Sequence, residues 1–180
     1  GLYQLVLAVY SLFITLATAG VSVAATRLMA EELSGPDSAR GAARGMLRRL
    51  LAAGLLLGLF AALLQLATAD LAARWWLGDV RAAGALRVSA LGMPWMAVSA
   101  VLRGFFIARR HVAPNVFSQL TEQTVRIALV ALALTRTEGA AVGVRCMLVL
   151  GATAVSEAVS ALCMLAFYRR DARSAIKKKK

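Results

Sequence analysis

One segment of the sequence carries polar and charged side chains at a spacing that could bind an anion. If residues 115–126 form a helix, at about 100° per residue, the polar side chains fall within an arc of about 140°. This polar arc consists of Asn115, Ser118, Gln119, Glu122, Gln123 and Arg126. The other side of the same helix is apolar, so we expect the six side chains to face one common polar region.

Two interpretations of the polar arc are open. Glu122 and Arg126 are spaced i, i+4 in the order that favours a salt bridge on one helix, so they could neutralise each other and only tie helices together. That pair does not explain Asn115, Gln119 and Gln123, whereas a polar cavity lined by the arc does. Arginine stays charged when buried and can bind two phosphate oxygens at once. A cavity lined by the arc would therefore hold a fixed positive charge.

Glu157 is a second candidate for charge chemistry. It lies in a later apolar stretch, with Ser156 and Ser160 nearby. A carboxylate in such surroundings can pair with Arg126, stay protonated or bind a coupling cation. The sequence leaves these three possibilities open.

The remaining reactive residue types indicate no further site. Cys146 and Cys163 fall within one predicted helix, 17 positions apart, a spacing that excludes a disulfide and a shared metal site. His111 is the one histidine and has no partner residue nearby in the sequence, so we expect a solvated loop residue. No nucleophile–base pair, metal cluster or phosphate loop is visible. We therefore expect neither an enzyme nor a cofactor.

The composition determines which elements must position these residues. Of the 180 residues 60% are hydrophobic and 17% are charged, whereas soluble domains carry about a quarter charged residues. Several apolar stretches reach the ~20 residues that a helix needs to cross a bilayer. The net charge of +12 does not indicate nucleic-acid binding, because the basic residues lie between apolar segments and at the end of the chain. The sequence predicts an all-α, polytopic membrane helical bundle.

About five transmembrane helices are predicted within residues 1–168, followed by a basic cytoplasmic tail at 169–180. Their approximate bounds are 5–26, 50–68, 86–108, 115–134 and 144–168. Gly92 and Pro94 predict a kink in the third helix. Asn115 to Arg126 is ~16 Å of helix, about half of the ~30 Å hydrocarbon core. We therefore expect Arg126 near mid-depth, and Glu157 likewise in the middle of the fifth helix.

The basic residues between these helices predict an orientation. Alternate connections hold fifteen and five Lys or Arg residues, and the richer set is expected in the cytoplasm. We therefore expect a multi-pass protein of the cytoplasmic membrane with Gly1 outside and the tail inside. Arg27 and Arg103, near the cytoplasmic ends of their helices, are further candidate cavity residues. Because the sequence begins outside without Met or a signal peptide, we expect an internal piece of a longer protein.

Short motifs of one protein group occur in order along essentially the whole sequence. They are Gly1-Leu2-Tyr3-Gln4, Tyr10-Ser11-Leu12, Leu16-Ala17-Thr18-Ala19-Gly20, Leu102-Arg103-Gly104-Phe105-Phe106, Pro114, Ser118-Gln119, Glu122-Gln123, Arg126 and Glu157. Through them the sequence resembles the stage V sporulation protein B group of the multidrug/oligosaccharidyl-lipid/polysaccharide exporter superfamily. The Ser-Gln-x-x-Glu-Gln-x-x-Arg segment is the most specific part of this resemblance.

The resemblance implies a fold of two pseudo-symmetric lobes of six helices, in which this chain is helices two to six of the N-terminal lobe. It also implies an activity, the flipping of undecaprenyl-pyrophosphate-linked oligosaccharides or peptidoglycan precursors by alternating access. The implied partners are the lipid-linked glycan, membrane lipids and the remaining lobe of the same polypeptide. Related lipid II flippases have a cationic central cavity, which suits a pyrophosphate headgroup.

Two other functions remain open at the level of sequence. A cation-coupled multidrug exporter of the same fold favours an acidic, aromatic-lined cavity, whereas Arg27, Arg103 and Arg126 favour an anionic substrate. A non-transporting membrane scaffold predicts that the polar arc is packed dry against other helices.

Overall fold

A computed structural model describes residues 2–18, 20–34, 39–76, 78, 82–137, 139 and 141–177, and this part of the chain is helical apart from short turns. In chain order the helices are α1 (Leu2–Thr18), α2 (Val21–Ser34), α3 (Ala39–Leu71), α4 (Ala82–Ala90), α5 (Met93–Ala108), α6 (Ala113–Arg136) and α7 (Val142–Lys177). A π-helical turn, Ala72–Trp76, follows α3. The predicted all-α membrane bundle is confirmed.

Within the described residues, three segments are long and apolar enough to cross a membrane, by length and composition. They are Gly45–Trp75, Ala82–Ala108 and Val142–Asp171. The apolar part of α1 is shorter, Val6–Thr15. The helix α6 has 24 residues, or ~36 Å, but its polar side lowers its mean hydropathy. The count of about five transmembrane helices therefore stays a prediction for α1 with α2 and for α6.

The structure divides the predicted first helix, 5–26, into α1 and α2. Gly20 has a φ of 75°, a left-handed conformation that glycine adopts at low cost and that ends a right-handed helix. The new helix starts at once, since the amide of Ala24 donates to the carbonyl of Gly20 at 2.7 Å. Because α2 continues to Ser34, residues 27–34, which the sequence assigned to a loop, are helical.

The predicted third helix, 86–108, is also divided, at the expected place. Residues 91 and 92 form a turn between α4 and α5. The amides of Leu91 and Gly92 donate to the carbonyls of Val88 and Ser89, at 3.2 and 3.1 Å, three residues back instead of four. Pro94 has no amide hydrogen and fits the first turn of α5.

The longest helices extend beyond their predicted bounds. The helix α3 begins at Ala39 instead of 50, and α7 continues to Lys177 through the segment predicted as a tail. Hydropathy marks the part of a helix that fits the hydrocarbon, whereas a helix ends where its backbone hydrogen bonds end. The helix bounds predicted from the apolar stretches were therefore narrower than the helices of the structure.

The helices α5 and α7 lie at the centre of the bundle. The helix α5 packs against α2, α3 and α7, whereas α7 packs against α4, α5 and α6. Glycine allows the closest approaches: a Cβ on Gly58 would contact Ala97 and Pro94 of α5, and one on Gly104 would overlap the backbone of α2 at Ser22. The helix α6 lies at the side of the bundle and packs mainly along α7.

Candidate functional site

The packing of α6 along α7 divides the polar arc. Ser118 and Glu122 are buried, with 1% and 8% of their surface exposed, and Asn115 and Arg126 are half-buried. Gln119 and Gln123 are exposed. One edge of the arc is thus packed inside this chain while the other edge stays accessible.

Glu122 is the centre of a charged cluster formed by α5 and α6. Its Oε1 accepts a hydrogen bond from Nη2 of Arg126 at 2.7 Å, the i, i+4 pair that the sequence spacing favours. Its Oε2 lies 3.8 Å from Nη2 of Arg103, on the neighbouring helix α5. One carboxylate therefore faces two guanidinium groups, and the three side chains together carry a formal charge of +1.

Arg126 is held from a second side by α7. Its Nε donates to Oγ of Ser156 at 3.3 Å, and this hydroxyl in turn donates to the carbonyl of Thr153 at 2.7 Å. The Arg126 side chain is nevertheless 29% exposed. A positive charge is thus fixed in direction and still accessible, as phosphate binding requires.

Two polar contacts fasten the start of α6 to its neighbours. The hydroxyl groups of Ser118 and Ser160 lie 2.8 Å apart, across the interface between α6 and α7. Nδ2 of Asn115 donates to the carbonyl of Arg103 at 3.5 Å, between α6 and α5. These contacts place the polar edge of α6 beside both central helices.

Glu157 is separate from this cluster in its hydrogen bonding. Only 3% of Glu157 is exposed, and its Oε1 accepts a hydrogen bond at 3.0 Å from the hydroxyl of Tyr10, on α1. The ion pair with Arg126 that the sequence allowed is not among the salt bridges of the described residues, because Arg126 bonds to Glu122 and Ser156 instead.

The structure brings together most, though not all, of the residues that the sequence selected. Arg103, Glu122 and Arg126 form one cluster, whereas Arg27 is exposed on α2 and makes no salt bridge within the described part of the chain. Tyr10 was missed as a functional candidate. The sequence could have indicated this role, because the hydroxyl of a tyrosine inside an apolar helix needs a hydrogen-bond partner when it is buried.

The comparison with protein families gives one match over the whole chain. A family model described as "Polysaccharide biosynthesis protein" matches residues 1–180. Stage V sporulation protein B of Bacillus subtilis (strain 168) is 33% identical over 135 residues, which are 75% of this chain and 26% of that protein. The chain thus spans about a quarter of the length of this relative. No solved structure matches this chain.

Proposed function

We propose that this chain, which belongs to the polysaccharide biosynthesis protein family, forms part of a membrane flippase for a lipid-linked oligosaccharide or peptidoglycan precursor. The cargo would be a glycan joined to its lipid through pyrophosphate. We place the chain in the cytoplasmic membrane, with residue 1 outside and the basic tail inside. The remaining lobe of the same polypeptide would cover the exposed edge of the polar arc.

The observation that carries this proposal is the cluster in which Glu122 faces both Arg103 and Arg126. Moving a phosphate group through hydrocarbon without polar partners has a prohibitive free-energy cost. A fixed guanidinium that is 29% exposed on a helix at the side of the bundle offers such a partner. Charges at this depth of a membrane protein usually face a cavity or an aqueous path.

Glu122 would partly neutralise the two arginines and hold Arg126 in place between transport cycles. A pyrophosphate headgroup carries more negative charge than one carboxylate, so it would compete with Glu122 for Arg126 and for Arg103. Gln119 and Gln123 would contribute amide hydrogen bonds from the exposed edge of the arc. Alternating access would then move this polar surface between the two sides of the membrane.

The exposed edge of the arc favours a cavity over a scaffold. A scaffold predicts dry packing of all six side chains, and the contact between Ser118 and Ser160 fits that prediction locally. Gln119 and Gln123 are exposed in the described part of the chain, and in this proposal they line a polar cavity between this chain and the remaining lobe. The positive charge of the cluster likewise favours an anionic cargo over a cationic drug.

A flipping assay with the full-length protein in proteoliposomes tests the proposal. The probe is an undecaprenyl-pyrophosphate-linked oligosaccharide, and the compared variants are Arg126→Gln and Arg136→Gln. Arg136 lies in the last turn of the same helix and is exposed. We expect at least an about tenfold loss for Arg126→Gln, the effect of a charge-assisted hydrogen bond of about 1.5–3 kcal/mol, and little change for Arg136→Gln. Equal rates in both variants would contradict the proposed site.

A further inference from the structure

The break between α4 and α5 lies directly against the buried carboxyl of Glu157. A Cβ on Gly92, in that break, would overlap Oε2 of Glu157 and come within 3.3 Å of Cα of Ala154. Among the described residues, Oε2 is a buried atom without a hydrogen-bond partner. The other oxygen, Oε1, has the hydroxyl of Tyr10 at 3.0 Å.

The arginines nearest to Glu157 are already engaged elsewhere. Arg103 from α5 and Arg126 from α6 interact electrostatically with Glu157, but both of their guanidinium groups face Glu122. Glu122 itself interacts with Glu157 and adds negative charge. Among the described residues neither guanidinium therefore forms an ion pair with Glu157 itself.

The other elements packed against α7 bring no further cation to this carboxyl. Tyr10 is the titratable group that α1 presents. The only titratable side chain of α4 is Arg87, which pairs with Asp70 at 2.7 Å. On α7 itself the nearest titratable side chain in sequence is Cys163, followed by Cys146 and Tyr168 at equal separations. A buried, ionised carboxylate without a paired cation is strongly disfavoured, so the group has to be neutralised in another way.

A proton fits the surroundings of Oε2 better than a metal cation does. Hard cations take six or more oxygen ligands, whereas Oε2 lies so close to Gly92 that a Cβ there would overlap it. Tyr10 supplies one oxygen, and Met96 beside it supplies a sulfur that lies 3.6 Å from the same hydroxyl. A proton on Oε2 needs no ligand shell and removes the charge.

We propose that Glu157 is a proton-binding site, protonated in this conformation and closed by the break between α4 and α5. When that break moves away from α7, water reaches Oε2, the O–H bond breaks, water accepts the proton, and the carboxylate stays solvated. Glu157 has to bind a proton again before residues 91 and 92 can pack against α7 once more. This site depends on the packing of α1, α5 and α7 and stands whether or not the cargo is a lipid-linked glycan.

Infrared difference spectroscopy of the full-length protein in membranes tests the protonation directly. We expect the carbonyl-stretch band of a protonated carboxylic acid at neutral pH, exchanging slowly in heavy water. The band should be absent from Glu157→Gln, retained at a shifted frequency in Glu157→Asp, and retained in Asp70→Asn, which removes an exposed carboxyl paired with Arg87 and serves as the control. A spectrum of Glu157→Gln identical to that of the wild type would overturn the proposal.

Amide hydrogen exchange tests the link between the proton and the break. After correction for the intrinsic pH dependence of exchange, protection of the amides of residues 91–93, 95 and 96 should fall as the pH rises and Glu157 ionises. In Glu157→Gln, which keeps the shape of the protonated acid, protection should not depend on pH. The same pH dependence in wild type and variant would refute the coupling, and this result is independent of any transport measurement.

Discussion

At the scale of single residues, the cluster around Glu122 combines one contact within a helix with contacts between helices. The pair of Glu122 and Arg126 is present because an i, i+4 spacing brings two side chains together in any α-helix. Arg103 and Ser156 reach the same cluster only through the packing of α5 and α7 against α6. Tyr10, far away in sequence, meets Glu157 for the same reason.

A substitution series at Arg126 separates its charge from its geometry. Arg126→Lys keeps the positive charge and loses the planar group that binds two oxygens, whereas Arg126→Gln loses both. If the residue binds pyrophosphate, flipping rates should fall in the order wild type, Lys, Gln, with similar amounts of folded protein in the membrane. The rates are measured in proteoliposomes that contain a lipid-linked pyrophosphate substrate.

The double variant Glu122→Gln with Arg126→Gln distinguishes binding from structural pairing. A pair that only ties helices together can be replaced by two neutral amides, because neither partner is then left buried and charged. The phosphate-binding role instead predicts that the double variant stays as inactive as Arg126→Gln. Full transport by the double variant would show that the pair is structural.

At the scale of elements, the apolar stretches of the sequence located most of the helices. They did not indicate that the first predicted helix, 5–26, is interrupted at Gly20. The break at residues 91 and 92 was predictable, because Pro94 removes a backbone donor and Gly92 precedes it. The break at Gly20 was not, since a glycine in an apolar run is also common inside membrane helices. Its φ of 75° separates α1 from α2.

The close approach of α2 to α5 predicts a large difference between two glycine substitutions. A Cβ at position 104 would lie 2.7 Å from the carbonyl oxygen of Ser22 and 2.9 Å from Cβ of Ala25. Gly104→Ala should therefore lower the free energy of unfolding by about 1–3 kcal/mol, the usual cost of overpacking. The measurement is thermal unfolding of the purified protein in detergent.

Gly45→Ala is the matched control on another helix. Gly45 lies in α3, and a Cβ there would meet nothing within 4 Å. Replacing glycine by alanine inside a helix stabilises it by up to about 1 kcal/mol, so this variant should unfold at the same or a higher temperature. Equal destabilisation by both substitutions would mean that α2 and α5 do not approach each other so closely.

At the scale of the whole molecule, two ion pairs join neighbouring helices, and their positions fit opposite ends of the bundle. Arg109, just after α5, pairs with Asp171 near the end of α7. Asp70, at the end of α3, pairs with Arg87 of α4. The order of the apolar segments in a sequence predicts which helix ends lie at the same end of the bundle. Which side of the membrane that end faces depends on the distribution of charged residues.

The distribution of basic residues is strongly unequal between the two expected sides. Fifteen fall on one side, namely Arg27, Arg40, Arg44, Arg48, Arg49, Arg103, Arg109, Arg110, Arg169, Arg170, Arg173 and residues 177–180, and five on the other, namely Arg74, Arg81, Arg87, Arg136 and Arg145. Connections rich in Lys and Arg stay in the cytoplasm during insertion. The ends of α5 and α7 should therefore be cytoplasmic.

Single-cysteine labelling of intact cells tests this orientation in a background without the two native cysteines. Trp75→Cys and Arg136→Cys should react with a membrane-impermeant maleimide, because both positions are exposed and belong to the side with few basic residues. His111→Cys and Arg169→Cys, equally exposed, should react only after the membrane is opened. Strong labelling of either cytoplasmic position in intact cells would reverse the assigned orientation and place Arg103 towards the outer side.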